Sequence, residues 1–399
     1  RQDGIIGKSP ADGKNSGGTG KSGGATSATA ADGHINVGGT LTNSGRISAA
    51  GKLRLEGGSK IHNAGHIQVE ELASRNTLLD NHGHLQADNA WLSGDALTNY
   101  GALIAGTYHE FRYERSVTNH GSIYGQHNYH IDSPQITNHQ EAHIVGAAGL
   151  QLGGNVDNRG DIRQTGSAGF NIRVADLDNR QGATLGENRA ADHPAPGGQT
   201  PATPATPATP PATSGGANGS ITATTLTNSG NIVAGGAVEL TTTNSLNNDG
   251  TLRASRLLVD GEKMRSTGDI DATDAIIRSK DTDIGGRFSG QRLDLDIEHY
   301  TNRAILRFDH INWNKLKTLS NYGDIDSKVS LNFRMERLEN GAGGSLRTAG
   351  TFDFNGEHIK NDGTLLSQGA QTITAKHIEN GGLLASGAGQ TLRAEKISH

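Results

Sequence analysis

The chain has 399 residues and a formal net charge of −5, with 57 glycines, no cysteine and only 4 % aromatic residues. The weakly acidic charge argues against nucleic-acid binding, and the lack of any run of 18 apolar residues argues against a transmembrane segment. The absence of cysteine excludes disulfides and zinc–thiolate sites. A chain with so few bulky residues either stays disordered or folds by a repetitive scheme that needs only a thin core.

Residues 1–33 consist mainly of Gly, Ser, Thr, Ala and Lys, and this composition predicts a flexible linker. The chain begins Arg1-Gln2-Asp3, without an initiator methionine or a signal peptide. We therefore expect it to be a piece of a longer protein.

A repeat begins at residue 34 and continues to residue 183. In the first repeat, three short alternating segments are separated by glycine, namely Arg46–Ala49, Lys52–Leu55 and Lys60–Asn63. Alternation places the aliphatic side chains, such as Ile47 and Ile61, on one face and the charged side chains on the other. The pattern therefore predicts three short strands in each repeat.

The signature aliphatic-x-Asn-x-Gly marks each repeat, and within each run the asparagines recur every 18 to 21 residues. They are Asn43, Asn63, Asn81, Asn99, Asn119, Asn138, Asn158, Asn179, Asn228, Asn248, Asn302, Asn321, Asn340, Asn361 and Asn380. Three strands in about 19 residues are typical of one β-helix coil, whereas a propeller blade needs a longer period. The sequence predicts an all-β fold, a right-handed parallel β-helix of ~19-residue coils.

Two structural roles are open for these asparagines. Each stands two residues after an aliphatic residue, so its amide can point inward and hydrogen-bond to the asparagines of neighbouring coils. Alternatively, asparagine forms a local turn ahead of glycine. Both interpretations make the residue structural.

The repeat is interrupted twice. Residues 184–219 contain seven of the nine prolines, and because proline cannot donate to a strand ladder we predict a disordered, looped-out insertion. The step of 49 residues from Asn179 to Asn228 equals one coil plus about 30 inserted residues, so the coils continue in register. The coils resume over 220–399, with an irregular zone at 264–340 where Ser266 replaces the asparagine.

The repeat resembles the filamentous-haemagglutinin repeat of two-partner-secreted exoproteins of Gram-negative bacteria. The resemblance is carried by residues 226–240 (LTNSGNIVAGGAVEL) and 359–367 (IKNDGTLLS), and it covers roughly 34–183 and 220–399. It implies export through an outer-membrane two-partner-secretion transporter and display on the bacterial surface. The sequence shows neither the secretion domain nor the toxin domain found in that family, so the chain resembles the shaft region of such proteins.

The expected function is therefore a non-enzymatic structural and adhesive shaft that mediates cell contact through a receptor or glycan on a host or neighbouring cell. The first alternative is the receptor-binding segment of a contact-dependent inhibition toxin. The second is a β-helical polysaccharide lyase or hydrolase, suggested by carboxylates such as Asp269 and Asp271. Because Asp294 and Asp296 alternate with leucines, as outward residues do, we expect no catalytic residues.

A tyrosine- and histidine-rich stretch is the best candidate for a contact patch, because tyrosine and arginine are enriched in binding hot spots. Its members are Tyr100, Tyr108, Tyr113, Tyr124, Tyr129, Arg112, Arg115, His120 and His139. The alternative is aromatic stacking that merely stabilises the coils. No metal or cofactor is expected, because no H-x-x-x-H pattern or converging ligand set is visible.

Overall fold

The chain folds into two compact units, residues 1–166 and 167–399. Each is a parallel β-solenoid with coils of about 19 residues, and the two together make about 17 turns. The all-β parallel β-helix is therefore confirmed. The computed structural model describes residues 5–6, 32–127, 129–165, 169–187 and 216–399.

Thirteen strands are described in the first unit. They are β1 (Ile5–Ile6), β2 (Gly33–Val37), β3 (Thr40–Asn43), β4 (Arg46–Gly57), β5 (Lys60–Asn63), β6 (His66–Asn81), β7 (His84–Asn99), β8 (Ala102–Asn119), β9 (Ser122–Gly125), β10 (Tyr129–Asn138), β11 (His143–Gly146), β12 (Leu150–Asn158) and β13 (Asp161–Gln164).

Parallel pairing in register stacks the inward residues of the first unit into columns. Ile47 pairs with Ile67, Ile67 with Leu85, and Leu85 with Leu103, and all of them are buried. Burying such a side chain stabilises the fold by about 1.5–3 kcal/mol. The alternation seen in the sequence thus becomes a continuous apolar column with one aliphatic residue in each coil.

Twenty strands are described in the second unit. They are β14 (Phe170–Arg173), β15 (Asp176–Asn179), β16 (Thr184–Glu187), β17 (Gly219–Asn228), β18 (Asn231–Val233), β19 (Ala237–Asn248), β20 (Thr251–Asp260), β21 (Lys263–Ser266), β22 (Asp269–Ile284), β23 (Arg287–Asn302), β24 (Ile305–Asn314), β25 (Thr318–Asn321), β26 (Asp324–Ser327), β27 (Leu331–Asn340), β28 (Ser345–Thr348), β29 (Phe352–Asn361), β30 (Thr364–Ser367), β31 (Gln371–Asn380), β32 (Leu383–Ser386) and β33 (Gln390–Ser398).

The second unit keeps its register across the proline-rich segment. Strand β15 pairs with β17 so that Asn179 lies opposite Asn228, which is the single coil step that the 49-residue spacing predicts. The insertion is shorter than predicted at its first end, because β16 continues to Glu187. Residues 188–215 of the predicted insertion lie outside the described residues.

Other predicted boundaries also shift. Most of the predicted linker, 1–33, lies outside the described residues, but Ile5–Ile6 pair with β4 and Gly33 opens β2. The three segments expected in each coil are often continuous, as in β6, because the backbone bends at the corners while staying extended. The zone 264–340 pairs without a register shift from β21 to β27.

The glycine of the signature is explained by the stacking distance. A Cβ atom built on Gly101 would lie 2.0 Å from the carbonyl oxygen of Gly83, and one on Gly83 would lie 2.0 Å from that of Gly65. Only glycine lets the corners of successive coils approach so closely. The described residues include no helix long and apolar enough to cross a membrane.

Candidate functional site

The asparagines of the signature point into the solenoid and form what we call the Asn ladder. The Nδ2 group of Asn63 donates to Oδ1 of Asn81 at 2.7 Å, and Asn81 donates to Asn99 at the same distance. In the second unit, Asn179 donates to Asn228 at 2.7 Å across the insertion. Each of these side chains is buried, so the ladder satisfies amides that would otherwise be costly to desolvate.

The same asparagines also fix their own corners. Asn119 Nδ2 donates to the carbonyl of Gly121 at 3.1 Å and to that of His143 at 3.1 Å, besides Asn138 Oδ1 at 2.9 Å. The backbone N–H of Gly121 donates in turn to Asn119 Oδ1 at 3.3 Å. The inward-ladder and turn-forming interpretations therefore each describe part of one arrangement.

The ladder is interrupted at two consecutive coils of the second unit. Ser266 takes the position after Asn248 and accepts its Nδ2 hydrogen bond at 3.0 Å. Ile284 takes the next position, opposite Ser266 on one side and Asn302 on the other. Both residues are buried, so the coils continue although the amide column does not.

An aromatic column lies on the outside of the first unit, formed by residues that directly follow ladder asparagines. We call His82, Tyr100, His120 and His139 the imidazole–phenol stack. Tyr100 lies between His82 and His120 with ring centroids 4.5 Å from each, and His120 stacks on His139 at 3.8 Å. Tyr100 is 49 % exposed. Burial, and then the neighbouring His139, lowers the pKa of His120.

Two tyrosines of the predicted contact patch lie in the interior instead. Tyr113 and Tyr129 occupy inward-facing strand positions, as Phe111 does, and are buried. Burial raises the pKa of both phenols. Tyr129 packs against His109, which is also buried, with 5.1 Å between the ring centroids. These tyrosines cannot touch a partner from this position, because alternation directs them into the core.

The remaining predicted patch residues are outside but do not form one surface. Tyr108 lies 5.7 Å from the Trp91 ring. Arg115 is paired with Asp95 at 2.7 Å, and Arg112 is paired with Glu110. Tyr124 is half-buried in β9, next to Val145 of β11 in the register. Of the nine residues, only Tyr100, His120 and His139 come together.

A groove beside Trp91 was missed by the sequence analysis. In the outward column that runs from Arg54 through Ala73 to Trp91, the small Ala73 leaves an open notch one coil wide. The notch has a volume of about 460 Å³, and its walls include Lys52 and Arg75. Only the register, which sets Ala73 between two large side chains, could have revealed it.

A cluster of charged and imidazole groups surrounds Asp80 on the first unit. Its carboxylate accepts from Lys60 at 2.7 Å and from His62 at 3.0 Å, and Nε2 of His82 lies 2.9 Å from its other oxygen. Burial opposes ionisation of Asp80, but the hydrogen bonds from Lys60 and His62 outweigh it and hold its pKa below the usual value. Among the described residues, His62, Asp80 and His82 are the three-ligand group able to hold a metal ion.

Several of the carboxylates that suggested a lyase point outward and are paired with cations of adjacent coils. Arg287 lies 3.1 Å from Asp269, and Arg253 lies 3.4 Å from Asp271. Lys317 lies 2.6 Å from Glu298, and this hydrogen bond lowers the pKa of Glu298. These groups form ion pairs along the stack, with no convergence on a common point.

Comparisons with known proteins found no match for this chain. No family model matches the sequence, no curated protein matches it, and no solved structure matches the fold.

Proposed function

We propose that this protein is a non-enzymatic structural and adhesive shaft segment of a filamentous surface exoprotein. The observation that carries the proposal is the Asn ladder with its flanking aliphatic columns, which repeats one coil after another with few bulky residues. Such an architecture provides length and stiffness, because each coil is held by its neighbours rather than by a central core.

The cellular setting of the proposal is the exterior of a Gram-negative outer membrane, reached through a two-partner-secretion transporter. The signature's resemblance to filamentous-haemagglutinin repeats supports this setting. The absence of cysteine supports it as well, because the chain carries no thiol that the oxidising exterior could modify. The partner proposed for the adhesive role is a receptor or glycan on a host or neighbouring cell.

A second candidate, the receptor-binding segment of a contact-dependent inhibition toxin, is favoured by the imidazole–phenol stack. Tyr100 places an aromatic ring in solvent at a corner where several other coils carry small or charged residues such as Ser229 and Asp249. The interior does not require it, and exposed aromatic residues are enriched in binding hot spots. The stack is therefore the surface that we assign to cell contact.

Cell-binding assays with the intact chain test this assignment. Tyr100→Ser should reduce binding about tenfold if the phenol is a hot-spot contact worth about 1.4 kcal/mol or more. Tyr322→Ser is the matched control, because Tyr322 is also exposed and directly follows a ladder asparagine. Equal binding by both variants would overturn the assignment to the stack.

The shaft role and the adhesive role can be separated. Elongated particles in negative-stain images are expected from a shaft, and globular particles would overturn that role. If the intact chain is elongated but binds no cells, the adhesive part of the proposal fails while the shaft remains.

A test of turnover addresses the enzymatic alternative. We expect no degradation of acidic polysaccharides, because the candidate carboxylates Asp269 and Asp271 are engaged in ion pairs with arginines. Degradation that is lost in Asp269→Asn or Asp271→Asn would contradict the non-enzymatic proposal.

A further inference from the structure

The register brings three metal-ligand side chains together on the first unit. His62 in β5 lies directly opposite Asp80 in β6, and His82 follows two residues later at the corner. Asn81, between Asp80 and His82, points into the ladder, so its two neighbours share the outer surface. Residues 18 and 20 positions apart in sequence thereby become adjacent.

The distances fit a small cation. Nδ1 of His62 lies 3.0 Å from one oxygen of Asp80, and Nε2 of His82 lies 2.9 Å from the other. All three ligand atoms lie within 4.8 Å of one another. Tetrahedral zinc, with ligands at about 2.0–2.2 Å, separates neighbouring ligand atoms by about 3.3 Å, so each histidine–carboxylate distance is within about half an ångström of that value.

The chemistry of the donors fits as well. Asp80 offers a carboxylate oxygen, and His62 and His82 each offer one imidazole nitrogen. Imidazole nitrogens together with carboxylate oxygen suit zinc and related transition metals rather than calcium or magnesium. The side chain of His82 is 43 % exposed, which leaves room for water to complete the coordination shell.

Lys60 is the group that opposes metal binding. Its ammonium lies 2.7 Å from the Asp80 oxygen that also accepts from His62, so a divalent cation must displace it. Because a lysine side chain is long and flexible, this displacement weakens the site without blocking it. Removing the ammonium should therefore strengthen metal binding.

We propose that His62, Asp80 and His82 bind one exchangeable Zn²⁺ ion per chain on the surface of the first unit. The ion bridges β5, β6 and the corner after β6, and so links two adjacent coils. The other described histidine–carboxylate contacts, such as His143–Asp161 at 3.2 Å and His34–Glu56 at 3.3 Å, each offer two ligands. None of them belongs to a three-ligand group within the described ranges.

Calorimetric titration of the intact chain with ZnCl₂ at neutral pH tests the site. One Zn²⁺ per chain should bind, and His62→Ala, His82→Ala and Asp80→Asn should each weaken that binding about tenfold or more. His66→Ala is the matched control, because His66 lies beside His84, at 5.7 Å between ring centroids, and belongs to no three-ligand group in the described part of the chain. It should bind zinc like the unaltered chain.

Lys60→Met provides the second readout, since the substitution should tighten Zn²⁺ binding several-fold while keeping the fold. Far-UV circular dichroism of each variant shows whether it retains the solenoid, and a zinc-dependent rise in melting temperature should be absent in His62→Ala. Zinc binding that is equal in the ligand variants and the His66→Ala control would overturn the site, because it would indicate diffuse binding to many histidines. Weaker binding by Lys60→Met would overturn it as well.

Discussion

The two units share the plan of their interiors and differ more in their exteriors. Inside, both stack aliphatic residues and ladder asparagines in register, as with Leu97 beside Asn99 and Leu226 beside Asn228. Outside, the first unit carries the imidazole–phenol stack and the Asp80 cluster. At the corresponding corner of the second unit, Arg303 lies 5.2 Å from the Tyr322 ring.

The comparison separates two kinds of constraint. Inward positions are restricted to side chains that fill or hydrogen-bond a narrow column, so the same few residue types recur. Outward positions only have to tolerate their neighbours one coil away, for which ion pairs such as Lys280–Glu262 at 2.8 Å suffice. We therefore expect differences in function between the units to lie on the outside.

The largest expected effect comes from a corner glycine. Gly101→Ala should lower the free energy of unfolding by about 5 kcal/mol or prevent folding, because the new Cβ would lie 2.0 Å from the Gly83 carbonyl. Gly285→Ala, in the second unit, is the control. Its Cβ would meet nothing closer than 3.5 Å and should cost at most about 1 kcal/mol. Urea unfolding measures both, and equal losses would contradict the stacking explanation.

The next effect concerns the ladder. Asn119→Ala should cost about 4 kcal/mol, because it leaves the amide of Asn99 without its acceptor and Asn138 without its donor, both in buried positions. Ser266→Ala, at the natural interruption, removes the acceptor of Asn248 at 3.0 Å and a weak donation to the Gly268 carbonyl at 3.4 Å and should cost about 1 kcal/mol. Thermal melts compare the two, and a smaller loss for Asn119→Ala would refute the ladder's importance.

Acid should destabilise the first unit through His109. Burial lowers the pKa of His109 to about 4, below the value of about 6.5 in an unfolded chain, so the unfolded state binds the proton more tightly. The stability is fully present above about pH 6.5 and declines as the pH falls towards 4, by about 3 kcal/mol. Urea unfolding from pH 7 to 4 measures the decline.

His109→Phe should remove that part of the pH dependence. His377→Phe serves as the control in the second unit, since His377 is exposed and none of the described histidines of that unit is buried. An unchanged pH dependence in His109→Phe would show that other groups cause the acid sensitivity.

The smallest effect distinguishes two buried tyrosines. The Tyr129 hydroxyl has no hydrogen-bond partner, so Tyr129→Phe should raise the free energy of unfolding by about 1 kcal/mol. The Tyr300 hydroxyl donates to ladder residue Asn302 at 3.3 Å, so Tyr300→Phe should lower it by about 0.5–1 kcal/mol. Opposite signs in thermal melts are expected, and the same sign in both would contradict the assigned hydroxyl environments.

The fold was predictable because its main determinant is a spacing. An asparagine every 18 to 21 residues, two positions after an aliphatic residue, specifies strand, face and coil at once, and Asn43 to Asn63 pair as this spacing requires. The interruption was harder to interpret, because Ser266 and Ile284 occupy ladder positions without the ladder residue. Backbone pairing between the strands, rather than the side-chain ladder, keeps those coils in place.

The surface was predicted less well, for a physical reason. Grouping residues by closeness in sequence mixed inward Tyr113 with outward Arg112, although successive strand residues face opposite sides. The cluster of His62, Asp80 and His82 depends on which residue of one coil lies above which residue of the next. That offset becomes known only when bulges and corner lengths are known, as at the shift between Asp132 and Gln135.

The Asn ladder also has a direction. In each described asparagine pair, the coil nearer the amino terminus donates and the following coil accepts, from Asn43 to Asn63 through to Asn361 to Asn380. A stack extended towards the carboxyl terminus therefore always presents an unused amide donor at its growing edge. The opposite edge presents an unused amide carbonyl, so the two edges of the stack are chemically different and a further coil must match the group that its edge offers.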